Sequence, residues 1–136
     1  MTLVVDASVA IKWIMVEDGT PAANQLIVGD ALAAPDLLFI ECANVLRTKA
    51  RRGDISVGVA RQGLEIIDAV PIRSVPTRPH VAAAQAIALE LDRSAYDALY
   101  LAVALAEKAT LITADANFAA AVLARPGYAN SVRMLG

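Results

Sequence analysis

Four acidic residues, Asp6, Glu41, Asp97 and Asp115, occupy positions at which a carboxylate demands an explanation. Asp6 ends the apolar run Leu3-Val4-Val5, and Asp115 ends Leu111-Ile112-Thr113-Ala114. Both are followed by helical patterning, so each can serve as an N-cap for the free amides behind it. One strand–Asp–helix junction is ordinary. Two of them bring two carboxylates to the same sheet edge if the strands run parallel, and that edge is where open α/β sheets place their ligands. Asp97 stands three residues after Ser94, the spacing of a capping box. Glu41 is harder to explain structurally. It sits within Leu37-Leu38-Phe39-Ile40-Glu41-Cys42-Ala43-Asn44-Val45-Leu46, with Leu37, Leu38, Asn44 and Val45 as helical neighbours and no arginine in reach. A carboxylate is almost never buried without a partner.

Inward carboxylates that converge without a cation repel one another, and some stay protonated. A divalent ion removes that conflict, and an all-oxygen donor set suits Mg2+ or Mn2+ rather than Zn2+. One or two such ions lower the pKa of a bound water and stabilise charge on a phosphodiester. Three of the four acids also lie at helix N-termini, whose amides favour an anionic phosphate.

The elements that must position these acids follow from periodicity and punctuation. After the first strand, Ser8 to about Val16 has helical spacing, with Val9, Trp13 and Val16 on one stripe. Gly19-Thr20-Pro21 reads as turn, cap and first helical position of a helix to about Val28. Ala31 to Ala34 is a short strand stopped by Pro35. Asp36 opens a helix to Arg52, with Gly53 as its stop, and Ser56 caps another to about Asp68. Pro71 to Val75 is strand-like, His80 to Leu91 is helical, and Ser94 caps a helix to Lys108. Thr110 to Ala114 is a strand, a short helix runs from Asp115 to about Leu123, and Ser131 to Leu135 forms the last strand. Strands alternating with helices define an α/β fold: a three-layer α/β/α domain with a mainly parallel sheet of about five strands.

The 136 residues are read as a single domain, residues 1–136, without an internal repeat. The chain is 57% apolar but only 4% aromatic, an excess that favours self-association or a partner. The longest apolar run, Ala98 to Ala106, is too short to span a bilayer. No secretory leader is read at the start, because Asp6 interrupts the first apolar stretch, and Cys42 stands alone, which excludes a disulfide framework. The expected location is the cytoplasm. Net charge is −2, from 12 basic and 14 acidic residues, and does not announce a nucleic-acid binder. Setting four metal-holding acids aside leaves ten against those 12 basic residues.

Taken together, Asp6-Ala7-Ser8 after a terminal strand, Glu41 with Asn44 in mid-helix, Tyr96-Asp97-Ala98, and Thr113-Ala114-Asp115 followed by Phe118 resemble the PIN-domain ribonucleases. The resemblance is strongest to the VapC-type toxins of type II toxin–antitoxin pairs and covers essentially the whole chain. It implies a metal-dependent endoribonuclease in which Asp6, Glu41, Asp97 and Asp115 bind Mg2+ or Mn2+ directly or through water. Ser8, Thr113 and Asn44 then order those ligands by hydrogen bonds. It also implies an RNA substrate, a homodimer, and inhibition by a small cognate antitoxin. Many family members carry a further acid two positions after the Asp115 equivalent, where this chain has Asn117.

Other residues read as structural. Trp13 and Phe39 are expected in the core, and Cys42 is a small buried residue. His80 follows a proline at a helix start, with no His or Cys nearby to share a ligand role. Arg47, Lys49, Arg51 and Arg52 either complement the C-terminus of their helix or contact RNA phosphates. Two rival readings are a phosphoacceptor signalling receiver domain and a catalytically inactive PIN-like binding module. The receiver needs an acceptor Asp at the end of a central strand and a Lys at the end of the last. The strand near Arg73 instead ends in Ser74-Val75-Pro76, and the last strand offers Arg133.

Overall fold

Leu3, Val4 and Val5 are shielded from solvent almost completely, at 1%, 0% and 0% exposure. A run with no polar alternation must lie between other strands with both faces covered. The computed structural model describes residues 2–136 and shows this arrangement. The strands are β1 (Thr2–Val5), β2 (Ala31–Pro35), β3 (Ile72–Val75), β4 (Thr110–Thr113) and β5 (Val132–Met134). They form one sheet in the order β3-β2-β1-β4-β5, and every pairing is parallel.

The helices are α1 (Ala7–Ala10), α2 (Thr20–Gly29), α3 (Leu37–Arg51), α4 (Val57–Ala69), α5 (Val81–Leu91), α6 (Ala95–Ala106) and α7 (Ala116–Leu123). From β1 to β2 to β3 the chain steps one way along the sheet; from β3 to β4 to β5 it steps the other way. Right-handed crossovers therefore put α1 to α4 on one face and α5 to α7 on the other. In keeping with this, α3 packs on α1 and α4, and α5 packs on α6. The expected three-layer α/β/α architecture is present, with the sheet parallel throughout. No helix among the described residues is long and apolar enough to cross a membrane.

The core is aliphatic. Leu38, Leu46, Ile67, Leu101, Leu111 and Ile112 are its largest fully buried members, each contributing roughly 1.5–3 kcal/mol by burial. Helix α6 is buried continuously from Ala98 to Ala104 and packs across β1, β2 and β4. It is the central support of its face.

Three expectations need correction. The helix placed over Ser8 to Val16 is only one turn long; it passes through a 3-10 turn at Ile11–Trp13 and stops, leaving Val16 96% exposed. The cause lies in Thr20, whose hydroxyl bonds back to the carbonyls of Lys12 and Met15 and so turns the chain away. Thr20 is consequently not the cap of α2. That position is Gly19, at φ 91°, a left-handed conformation in which a Cβ would be strained. Trp13 and Phe39 are half-buried at the core's margin; the Trp13 indole donates to the Ala23 carbonyl at 2.8 Å. The remaining element boundaries agree with the sequence pattern to within one or two residues.

Candidate active site

Strand order reverses at the β1–β4 pair, because connections leave these two strands toward opposite edges. Such a switch point opens a crevice at the carboxyl ends of the strands. Asp6 follows β1 and Asp115 follows β4, so both acids stand at its mouth.

Each acid caps its helix. Asp6 Oδ1 accepts from the Val9 amide at 3.3 Å, and Asp115 Oδ1 accepts from the Phe118 amide at 3.0 Å. Capping is not the whole of what Asp6 does. Ser8 donates its hydroxyl hydrogen to Oδ1 at 2.5 Å, and Thr113 donates to Oδ2 at 2.5 Å. The same two hydroxyls accept amide hydrogens from the β4 junction: Ala114 to Ser8 at 2.9 Å, across the two strand ends, and Asp115 to Thr113 at 3.1 Å, within it. The ends of β1 and β4 are thereby fastened by side chains as well as by the strand ladder. Thr113 is wholly buried, at 0% exposure, so its hydroxyl has to be paired. Burial pushes the Asp6 carboxyl above its ordinary range, and the bonds from Ser8 and Thr113 oppose that rise.

Glu41 comes from the other face, in the second turn of α3. Its partner is Tyr100 of α6, whose buried hydroxyl donates to Oε1 at 2.5 Å. The Glu41 carboxyl is raised mainly by desolvation, with the charges of Asp97 and Asp6 adding to it and the Tyr100 bond opposing it. Those two charges tie Glu41 electrostatically to Asp6 and Asp97. Tyr100 is the residue that sequence reasoning missed. It lies one turn after Asp97 on the same helix, a spacing that puts two side chains on one face. The available signal was a polar atom in the otherwise apolar stretch Ala98 to Ala106.

Asp97 occupies the first turn of α6 and is half-buried. The Ser94 hydroxyl accepts from its amide at 3.1 Å. Among the described residues no hydrogen bond returns to the Asp97 carboxylate, so only half of the capping box forms and the acid group stays available. Cys42 is buried as expected, and its thiol is pushed up to about 12, by burial first and then by the charges of Glu41 and Asp6.

No cation neutralises this cluster. The ion pairs among the described residues are Lys12–Glu17 and Arg73–Glu107, both away from it. Nor are three or more of the acids drawn into a single ligand shell among those residues; Asp6 is turned to its hydroxyls and Glu41 to its phenol. Asn44 lies on the exposed side of α3. Arg47, Arg51 and Arg52 are also exposed, and Arg47 and Arg51 flank an apolar groove between α3 and α4 together with Arg61, away from the crevice.

Fold and site together define an α/β domain whose acidic crevice lies at the switch point of a parallel sheet. The PIN domain family model matches residues 3–122, and the chain belongs to the PIN-domain family. Within that family it is of the VapC type: Ribonuclease VapC9 of Mycobacterium tuberculosis is 34% identical over 114 residues, spanning 83% of this chain and 85% of that protein. Solved structures share the fold at lower identity. A Pyrobaculum aerophilum protein aligns with a TM-score of 0.72 at 24% identity, covering 89% of this chain and 79% of the other. VapC20 of Mycobacterium tuberculosis, described as a sarcin-ricin loop cleaving toxin, aligns at 0.68 and 17% identity, covering 88% and 94%.

Proposed function

We propose that this protein is an Mg2+- or Mn2+-dependent endoribonuclease that hydrolyses RNA phosphodiester bonds, and that it is the toxin of a toxin–antitoxin pair. The observation that carries the reading is the uncompensated charge at the crevice. Asp6 and Glu41 are both raised by burial, Glu41 also by the acids beside it, and no basic side chain answers them. The donor set suits a hard divalent cation, being composed of carboxylate oxygens supported by hydroxyls. Asp6, Glu41, Asp97 and Asp115 are the residues that would hold it.

Such an ion supplies a water of lowered pKa and a counter-charge for the phosphate oxygens. The chain's own contribution is positioning. Ser8 and Thr113 fix both oxygens of Asp6, Tyr100 holds Glu41, and the α6 cap holds the backbone beneath Asp97. The N-termini of α6 and α7 add amide dipoles that favour an anionic substrate. No side-chain nucleophile is needed. The VapC resemblance further supports a small cognate antitoxin and a homodimer as the assembly partners. A receiver domain is disfavoured by topology: β3 lies at the sheet's edge, and β5 carries Arg133 in place of the required Lys.

The test maps RNA ends produced by purified wild type and Asp97→Asn, each with Mn2+ and with EDTA. Cleavage confined to wild type with Mn2+ is the expected result. Undiminished, EDTA-resistant cleavage by Asp97→Asn overturns the proposal.

A further inference from the structure

Two side chains beside the acids, those of Arg93 and Tyr96, enter no ion pair among the described residues. Arg93 directly precedes Ser94, the cap of the helix that carries Asp97. It is half-buried and forms no ion pair among the described residues. Its guanidinium is instead held over the Phe118 ring, 6.0 Å from the centroid. Phe118 is itself the residue whose amide bonds to Asp115. Arg93 therefore bridges the two helix starts that present Asp97 and Asp115. Three residues further on, Tyr96 is 64% exposed in the first turn of α6, immediately before Asp97. An aromatic ring this exposed gains little from the core.

We propose, on the reading of the site as a ribonuclease, that Arg93 and Tyr96 form the substrate-gripping rim of the crevice, Arg93 binding an RNA phosphate and Tyr96 stacking an unpaired base. The physical case is their complementarity. A planar guanidinium held near an aromatic ring has lost part of its conformational freedom in advance and presents donors in the fork that matches phosphate oxygens. A neighbouring exposed aromatic gives the π-face on which a splayed base rests. The rim supplies the attraction that a crevice lined with acids lacks, and it fixes where along the strand the scissile phosphate falls. Only a base freed from its helix can stack on Tyr96, so the rim favours RNA that is unpaired at the cleavage site.

The two contacts leave different signatures, which a binding experiment separates. The probe is a short, labelled, unpaired RNA oligonucleotide, titrated by fluorescence anisotropy over a salt series against Asp6→Asn protein, in which cutting is expected to stop. Adding Arg93→Ala is expected to weaken binding and to reduce the slope of log K against log salt by about 0.7, one phosphate contact on a single strand. Adding Tyr96→Ala is expected to weaken binding roughly 5- to 150-fold with the slope unchanged. Tyr96→Phe keeps the affinity and Arg93→Lys keeps the slope. Melting temperatures are taken alongside, and Arg93→Gln, which preserves much of the packing on Phe118, replaces the alanine variant if that one is destabilised. Affinity and slope unchanged in both Arg93 and Tyr96 variants of a protein that binds RNA overturn the rim while leaving the ribonuclease intact. A wild type that neither binds nor cleaves RNA removes the ribonuclease reading, and the rim with it.

Discussion

Tyr100 donates its hydroxyl hydrogen to Glu41 at 2.5 Å across 59 positions of sequence, joining α6 on one face of the sheet to α3 on the other. Burial and the Glu41 charge push the Tyr100 hydroxyl far above its usual range, so it remains a donor at any working pH. The bond gives Glu41 a local justification without removing its charge, and it ties Glu41 to the helix on which Asp97 stands one turn before Tyr100.

Tyr100→Phe should therefore do two things. Leaving the half-buried carboxylate short of a donor costs about 1–3 kcal/mol, read as a lower urea midpoint. Because the lost bond was holding the Glu41 carboxyl down, the acidic limb of the cleavage pH profile should move to higher pH. An unshifted limb with normal stability removes Tyr100 from the site.

Acid titration gives a second expectation. The carboxyls of Asp6 and Glu41 are raised in the fold from ordinary values of 3.8 and 4.5. Their contribution is fully present below those values and is lost as pH climbs through the raised ones. In EDTA at neutral pH, Asp6→Asn and Glu41→Gln should thus melt no lower than wild type, with any advantage shrinking as pH is lowered toward 4. A deficit that stays constant across the whole range contradicts this account.

Thr113 offers a cleaner probe of the junction. Thr113→Val keeps the shape but removes a hydroxyl that serves Asp6 and the Asp115 amide at once. About 1–3 kcal/mol of stability should be lost, and activity should fall on the order of 10- to 100-fold. Thr113→Ser should restore most of both, and equal activity in all three proteins refutes the positioning role.

Divalent ions should act on the fold before any RNA is added. A ligand of the native state at 100 times its dissociation constant stabilises by about 2.7 kcal/mol. Mn2+ should accordingly raise the melting temperature of wild type and do so far less for Asp6→Asn. No rise in wild type at millimolar Mn2+ favours an inactive PIN-like module.

Much of this was legible in the chain itself. The unbroken apolar run at Leu3 to Val5 and the repeat of its junction at Asp115 announced a parallel sheet and the edge that carries the site. Helix bounds followed from Ser56, Ser94 and Gly53, whose local chemistry operates without tertiary help. The failures were tertiary. Thr20 bonds to Lys12 and Met15 across a turn that spacing cannot reveal, and it ended a helix whose periodicity continued to Val16. Glu41 was marked as anomalous, but its partner lies in a segment of α6 that reads as uniform core. Asn44 lies one turn from Glu41 on α3 and is exposed.

The order of the sheet bears finally on how such a protein comes into being. Strand β1 lies at the centre of the sheet, and its neighbour β4 is made more than a hundred residues later, as the 107-residue span from Asp6 to Thr113 records. A partly synthesised chain holds Asp6 and Glu41 on elements that still lack β4 and α6, the partners of β1 and of Glu41. Closure waits on a contact of long sequence separation, the slowest kind to form. The four acids can thus stand at one crevice only once residue 115 has emerged, so the crevice does not exist on a nascent chain shorter than that.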